Sequence, residues 1–191
     1  MSTKLYKKSE QFVVDAFKEI GNERGIKHFL RTVYWTKQLR PNADEALLIS
    51  AVAHDIQRAF RKKDFPENTS GNPLLNPAML DNHQKKGAEI ITDFLVKQNS
   101  DQKLIDRVKM LVSKHEVGGN ADQNLLKDAD SISFFENNTG YFIEKLVPLF
   151  GKEVIEEKFD WMYERITSKK AQQIARPMYE KALKKLKESK I

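Results

Sequence analysis

The four histidines of the chain are the residues best suited to bind a metal ion. They are separated by 26, 29 and 32 residues, and each lies in or at the end of a different segment with helical periodicity: His28, His54, His83 and His115. A single histidine on a helix is more often a core or surface residue than a ligand. The helices of a bundle, however, bring one residue from each into a shared interior, and bundle proteins build metal sites in this way. Because imidazole nitrogens suit Mn, Fe, Co, Ni and Zn, we predict one shared metal site.

A histidine and a carboxylate interrupt an apolar helical pattern in the stretch SAVAHDIQRAF, residues 50–60. His54 and Asp55 are adjacent there, either as a self-satisfied buried pair or as ligands, and a carboxylate can bridge two metal ions. Arg58 lies one helical turn beyond the pair, so its guanidinium can reach the same cleft and form bidentate contacts with a phosphate. The alternative for Arg58 is a salt bridge to a metal-binding carboxylate.

Other positions near the histidines bear on the same site. Asp128 and Asp130 lie two residues apart in LLKDADSISFF, which is about 200° of rotation on a helix, so one should be a ligand and the other a cap or surface group. Glu116 follows His115 and is a candidate general acid or base, or a hydrogen-bond partner of a metal ligand, although a solvent-exposed position is the preferred interpretation. Gly87 lies one turn after His83 and indicates either room for a ligand or a close helix contact.

The hydrophobic pattern predicts an all-α protein. Apolar residues recur at spacings of three and four almost throughout, and strand alternation is missing. The predicted helices span residues 9–20, 23–39, 43–62, 81–98, 101–116, 122–136, 140–150, 151–167 and 170–189. Without a linker or an internal repeat, residues 1–191 should form one multi-helix bundle domain. The connection at 64–80 contains three prolines and is either a lid or binding loop or a tolerated surface insertion.

Composition limits the classes of protein to which the chain can belong. The absence of cysteine excludes disulfides, thiolate zinc sites and cysteine nucleophiles. The net charge of +6 is concentrated in the last eleven residues, which hold five lysines, and at 58–63. Aromatic residues do not alternate with these lysines, so nucleic acid is not a predicted partner. Since the longest apolar run, ALLISAVA, is far shorter than the roughly 20 residues that span a bilayer, we expect a cytoplasmic protein without membrane contact.

The order of the candidate ligands resembles that of the HD-domain superfamily of metal-dependent phosphohydrolases. The pattern H, HD, H, H, D is realised by six residues: His28, His54, Asp55, His83, His115 and Asp130. VAHDIQR and LKDADSISFF are similar to the second and last motifs of that family, and the similarity covers about residues 26–136. By position, Asp130 rather than Asp128 matches the last ligand of the family. His83 and His115 correspond to histidines that two-metal members have and one-metal members lack.

The resemblance implies an HD-type helical bundle that binds divalent ions, two in number, drawn from Mn, Fe, Co, Ni or Zn. One ion is expected at His28, His54, Asp55 and Asp130, with Asp55 bridging to a second at His83 and His115. The implied reaction is hydrolysis of a phosphate ester, such as a nucleotide or a related small phosphorylated metabolite, by a metal-activated water.

In that reaction, His54, Asp55 and Arg58 are the expected catalytic residues. Arg58 is also the foremost candidate for substrate binding, followed by three residues that are more often solvated than functional: Arg31, Lys62 and Lys86. Two other functions fit the same pattern, namely an HD-type di-iron oxygenase of a small polyol or organophosphonate and a non-catalytic nucleotide-sensing module. The sequence leaves open the substrate and whether the chain forms a homodimer.

Overall fold

The computed structural model describes residues 3–61 and 71–190, and these residues form an all-α bundle without strands. The helices are α1 Lys4–Glu19, α2 Glu23–Leu39, α3 Glu45–Ala53, α4 Pro77–Lys97, α5 Gln102–Val112, α6 Ala121–Asn137, α7 Thr139–Tyr141, α8 Val147–Phe150, α9 Lys152–Glu164 and α10 Lys169–Glu188. A 3₁₀ turn, Ile56–Ala59, follows α3, and a π-helical turn, Phe142–Leu146, joins α7 to α8. The predicted all-α fold is therefore confirmed.

Two clusters of buried apolar side chains stabilise the bundle. The first lies mainly among α1 to α5 and includes Phe17, Phe29, Leu47, Ile91 and Leu111. The second lies mainly among α6 to α10 and includes Phe135, Leu146, Phe159 and Ala175. Helix α6 contributes to both clusters, with Leu126 in the first and Ile132 in the second. Because α2 packs along α6, the two clusters meet near the middle of the structure.

Two helices end earlier than the sequence predicted, and each ends next to a candidate ligand. Helix α3 ends at Ala53 instead of continuing to residue 62, and His54 is its C-cap. Helix α5 ends at Val112, so His115 and Glu116 lie in the following turn rather than inside the helix. The last carbonyls of a helix have no partner within it. In both places a histidine side chain uses one of them, because His54 Nδ1 lies 3.0 Å from Ala51 O and His115 Nδ1 lies 2.8 Å from Val112 O.

The predicted lid or insertion at 64–80 falls partly outside the described residues. Lys62 and residues 64–70 lie outside them. The described remainder includes the start of α4 at Pro77, four residues before the predicted start. Leu74 in this segment is buried in the second cluster. Its burial favours a structural or binding role for residues 71–80 over a surface insertion.

Within the two described ranges, each helix is too short or too polar to span a lipid bilayer.

Asp128 connects α6 to the turn between α9 and α10. Its carboxylate is buried and accepts hydrogen bonds from Thr167 N at 2.8 Å, Thr167 Oγ1 at 3.0 Å and Ser168 N at 2.9 Å. Of the two aspartates in LLKDADSISFF, Asp128 is thus the one that acts as a cap. It fixes the turn that follows Arg165, a residue of the site described below.

We predict that Asp128→Ala lowers the free energy of unfolding by about 2 kcal/mol, because it removes a buried carboxylate that accepts hydrogen bonds from the 167–168 turn. Urea denaturation followed by circular dichroism measures the change. Asp93→Ala, at an exposed position on α4, is the matched control and should stay within about 0.5 kcal/mol of the unsubstituted chain. Equal effects of the two substitutions would contradict the role given to Asp128.

Candidate metal centre

The four histidines converge in the interior, as the sequence predicted. All four are buried, with exposed fractions between 0% and 4%. Ring centroids are 5.2 Å apart for His28 and His54, 5.2 Å for His54 and His115, and 5.4 Å for His115 and His83. Four separate segments therefore place their imidazoles in one continuous row.

Each imidazole uses Nδ1 for a hydrogen bond that points away from the centre of the cluster. The acceptors are Ser133 Oγ for His28 at 2.8 Å, Ala51 O for His54 at 3.0 Å, Gln57 Oε1 for His83 at 2.9 Å and Val112 O for His115 at 2.8 Å. Carbonyl and amide oxygens only accept, so the ring nitrogen donates. Ser133 Oγ also accepts, because its own hydroxyl proton is donated to His28 O at 2.8 Å. All four rings therefore present Nε2 to the cluster.

Two aspartates face these Nε2 atoms. Asp130 Oδ1 lies 3.1 Å from His28 Nε2 and 3.3 Å from His54 Nε2. Asp55 Oδ1 lies 2.6 Å from His83 Nε2 and 3.8 Å from His115 Nε2. The other oxygen of Asp55, Oδ2, lies 4.0 Å from His54 Nε2. The carboxylate of Asp55 is thus positioned between the two halves of the histidine row.

The ligand atoms fall into two groups that share Asp55. One group contains Asp55, His83, His115 and Glu116, and the other contains His28, His54 and Asp55; within each group, the candidate ligand atoms lie within 4.8 Å of one another. Asp130 adjoins the second group through its contacts with His28 and His54. The six predicted residues are therefore together in the structure.

The donor set fits a metal ion. Among the described residues, the buried Nε2 atom of His115 has no hydrogen-bond partner, and that of His54 has only the 3.3 Å contact with Asp130. An unsatisfied buried polar atom costs about 1–3 kcal/mol of folding stability, so a ligand that binds these atoms would stabilise the chain. Imidazole nitrogens together with carboxylate oxygens are the ligands that divalent transition metals prefer. The cluster can accordingly hold a metal ion.

Glu116 is buried, which contradicts its predicted exposure to solvent. Its carboxylate accepts a hydrogen bond from Arg165, and Glu116 Oε1 lies 3.7 Å from His115 Nε2. Burial tends to raise the pKa of Glu116, but the positive charge of Arg165 prevails and lowers it to about 2. Glu116 is therefore an ionised carboxylate beside the cluster, which suits a ligand or a base better than a proton donor.

Sequence reasoning missed Arg165, whose side chain is buried at the site with 6% of its surface exposed. Its guanidinium donates hydrogen bonds to Asp130, Glu116 and Ser131 Oγ. Burial tends to raise the pKa of Asp130, but Arg165 and His54 hold it well below its usual range. Arg165 lies 35 residues after Asp130 and 49 after Glu116, beyond the stretch that carries the motifs.

Arg58 lies against Asp55, as the salt-bridge interpretation of this residue predicted, and phosphate binding by Arg58 stays a prediction. Arg58 Nε donates a hydrogen bond to Asp55 Oδ2 at 2.6 Å. Burial tends to raise the pKa of Asp55, but Arg58 and His83 keep it well below its usual range. Arg58 also lines the cavity described next, so the salt bridge leaves it in reach of a bound molecule.

A cavity of about 560 Å³ opens onto the cluster. Its polar end is formed by His28, Asp55, Arg58, Glu116, Asp130 and Lys158. The lining also contains apolar and aromatic residues: Leu74, Phe134, Tyr141, Phe142, Leu146 and Met162. The ligand cluster is therefore accessible from a space that can hold a small molecule.

The weaker candidates for substrate binding lie elsewhere. Arg31 donates to Glu136 Oε2 at 2.8 Å and stacks over Tyr34, and it is not part of the cavity lining. Lys86 is exposed and also lies outside the lining, whereas Lys62 is outside the described residues. Gly87 supports its structural interpretation, because a Cβ at this position would lie 3.3 Å from His54 O, where α4 packs closely on the end of α3.

We predict that Ser133→Ala weakens metal binding 10- to 100-fold without unfolding the chain, because His28 loses the acceptor that orients its ring. Titration of Zn²⁺ or Mn²⁺ followed by calorimetry measures the affinity. Ser113→Ala, whose hydroxyl makes only a 3.4 Å bond to Met110 O at the end of α5, is the control and should bind metal like the unsubstituted chain. Unchanged affinity in Ser133→Ala would show that the ring of His28 is oriented by other contacts.

Metal binding should also release a proton. Burial tends to lower the pKa of His54, but the charges of Asp130 and Asp55 raise it to about 9, whereas burial lowers the pKa of His115 to about 4. At pH 7.5 the metal-free chain thus holds a proton on His54 that a metal must displace. The metal affinity should rise about tenfold per pH unit below pH 9 and level off above it. Calorimetry in two buffers of different ionisation enthalpy measures the number of protons released. Metal binding that releases no proton at pH 7.5 would contradict the expectation.

The comparisons with known proteins assign a family without a function. Comparison with curated proteins and with solved structures gave no match. A family model described as a domain of unknown function, DUF4202, matches residues 16–187, which include all six candidate ligands and Arg165. The resemblance to the HD superfamily thus stays a prediction. Since the match covers most of the sequence, the chain belongs to the DUF4202 family.

Proposed function

We propose that the chain is a metal-dependent phosphohydrolase that cleaves a phosphate ester of a small metabolite, such as a nucleotide. One observation carries this proposal: four histidines and two aspartates direct their ligand atoms towards one another beside a cavity, which is lined by His28, Asp55, Asp130 and Arg58. A cluster of that composition, buried but reachable from a cavity, suits metal-assisted hydrolysis of an anionic ester.

The two groups of ligand atoms suggest two ions. His28, His54, Asp55 and Asp130 would hold one, and Asp55, His83 and His115 would hold the other, with Glu116 beside it. When bound, divalent ions lower the pKa of a coordinated water and stabilise negative charge on phosphoryl oxygens. Asp55 suits a shared ligand because Oδ1 faces His83 and His115 while Oδ2 faces His54.

Arg58 would bind the phosphate. Its Nε is held by Asp55, so the planar guanidinium has a fixed orientation and its terminal nitrogens remain for phosphate oxygens. A fixed donor of this kind stabilises the charge that develops on those oxygens during cleavage. The salt bridge and the phosphate contact are therefore compatible roles of one side chain.

Arg165 would keep the carboxylates in place. By donating to both Glu116 and Asp130, it holds two side chains from different segments next to each other. Asp130 Oδ2 is used by Arg165, which leaves Oδ1 for the cluster. Arg165 is thus a positioning residue rather than a group that touches the substrate.

Two alternative functions would use the same ligands, and activity assays distinguish each of them from hydrolysis. An oxygenase of a small polyol or organophosphonate requires O₂, whereas hydrolysis continues without it. A non-catalytic nucleotide-sensing module would bind its ligand without turnover. Arg58 and Lys158 at the polar end of the cavity favour an anionic ligand over a neutral polyol.

We predict that the purified protein hydrolyses at least one nucleotide or generic phosphomonoester under anaerobic conditions, with inorganic phosphate released in step with substrate loss. Asp55→Ala should lower kcat at least 1,000-fold and abolish metal binding, because it removes the ligand that both groups share. Asp93→Ala on the surface of α4 should keep full activity. Metal content and circular dichroism are measured in parallel.

Two outcomes would overturn this function. The first is full turnover by an Asp55→Ala variant that binds no metal. The second is a metal-loaded protein without hydrolytic activity that consumes O₂ and gives a mixed-valence iron signal by electron paramagnetic resonance, which would establish the oxygenase instead.

A further inference from the structure

Lys158 is a buried cation at the cavity, and it forms no ion pair with the residues that the structure describes. It is 7% exposed, lies on α9 and forms part of the cavity lining. Its ammonium lies 4.1 Å from the ring centroid of Trp161, but among the described residues no oxygen accepts a hydrogen bond from it or pairs with it. A buried charge without a paired counter-charge is costly, so such lysines are found where a ligand supplies the opposite charge.

The surroundings of Lys158 carry charges of both signs. Burial lowers the pKa of Lys158 to about 8, with Arg165 and Arg58 acting in the same direction and Glu116 and Asp130 in the opposite one. Arg165 is already bound to Glu116 and Asp130, whereas Arg58 uses only Nε for Asp55. Among the described residues of this end, Lys158 and Arg58 therefore have hydrogen-bond donors that an anion can use.

The cavity wall next to Lys158 is apolar. Met162 lies one turn after Lys158 on α9 and lines the same cavity. Phe134, Tyr141 and Phe142 continue this wall. If a molecule binds with its anionic group at Lys158, the rest of the molecule would thus contact aromatic and aliphatic side chains.

We infer that Lys158 and Arg58 form a subsite for the dianionic group of a phosphate monoester whose alcohol portion carries an apolar or aromatic ring. Two cations match the two charges of a monoester, whereas a diester carries one charge and a second substituent. The apolar wall binds the ring by removing it from water. This inference rests on the proposed function for the reaction but concerns binding, which is measured separately.

Calorimetric titration of inorganic phosphate into the as-purified full-length protein tests the subsite. Lys158→Met keeps the shape and apolar contacts of the side chain and should weaken phosphate binding at least tenfold. Lys158→Arg restores the charge and should bind within about threefold of the unsubstituted chain. Lys181→Met, the same change at an exposed position on α10, should bind like the unsubstituted chain. Thermal unfolding of each variant confirms that it is folded.

The ring preference is tested with two phosphonates that are not hydrolysed as esters. Phenylphosphonate should bind at least tenfold more tightly than methylphosphonate, because only the former reaches the apolar wall. Equal affinities would overturn the ring preference. Phosphate binding that is absent in the unsubstituted protein, or equal in folded Lys158→Met, would overturn the subsite.

These results are independent of the outcome of the hydrolysis assay. If the protein turns over a phosphoester but its phosphate affinity does not depend on Lys158, the hydrolase function is supported and the subsite is overturned. Phosphate binding that depends on Lys158, without turnover of any phosphoester, would support the subsite and overturn the hydrolase.

Discussion

The outward hydrogen bonds of the four imidazole Nδ1 atoms are the constraint on which the site depends. Each bond fixes both the rotation of a ring and the nitrogen that remains for a ligand. Two of the acceptors, Ala51 O and Val112 O, are backbone carbonyls freed by the ends of α3 and α5. If these helices continued, their carbonyls would be used within the helix. The early ends of the helices and the orientation of His54 and His115 are therefore one feature of the structure.

Charge balance inside the bundle depends on two arginines. Asp55, Glu116 and Asp130 are buried, and ionised carboxylates in such positions require counter-charges and hydrogen bonds. Arg58 supplies these to Asp55, and Arg165 supplies them to Glu116 and Asp130. The guanidinium suits this role because its donors lie in a plane and can serve several acceptors at once.

The sequence predicted the parts of the site that depend on local pattern. Helix α2 has the predicted bounds, and the six candidate ligands come together because their order along the chain follows helices that must pack in a bundle. Long-range packing determined the rest. Glu116 and Lys158 look like ordinary surface residues in the sequence, and only contacts with distant segments bury them. Arg165 was missed for the same reason, since its partners lie 35 and 49 residues earlier.

The site also joins the two apolar clusters, so its contacts oppose the separation of one cluster from the other. Most ligands come from the segments of the first cluster, whereas Asp130 and Ser133 lie on α6 and Arg165 follows α9, in the region of the second. Separation of the clusters would break the bond of His28 with Ser133 and the contacts of Asp130. An ion bound across this boundary stabilises the closed arrangement by mass action. Amide hydrogen exchange in α6 and α9 would then slow together with exchange in α3 and α5, as in a single cooperative unit.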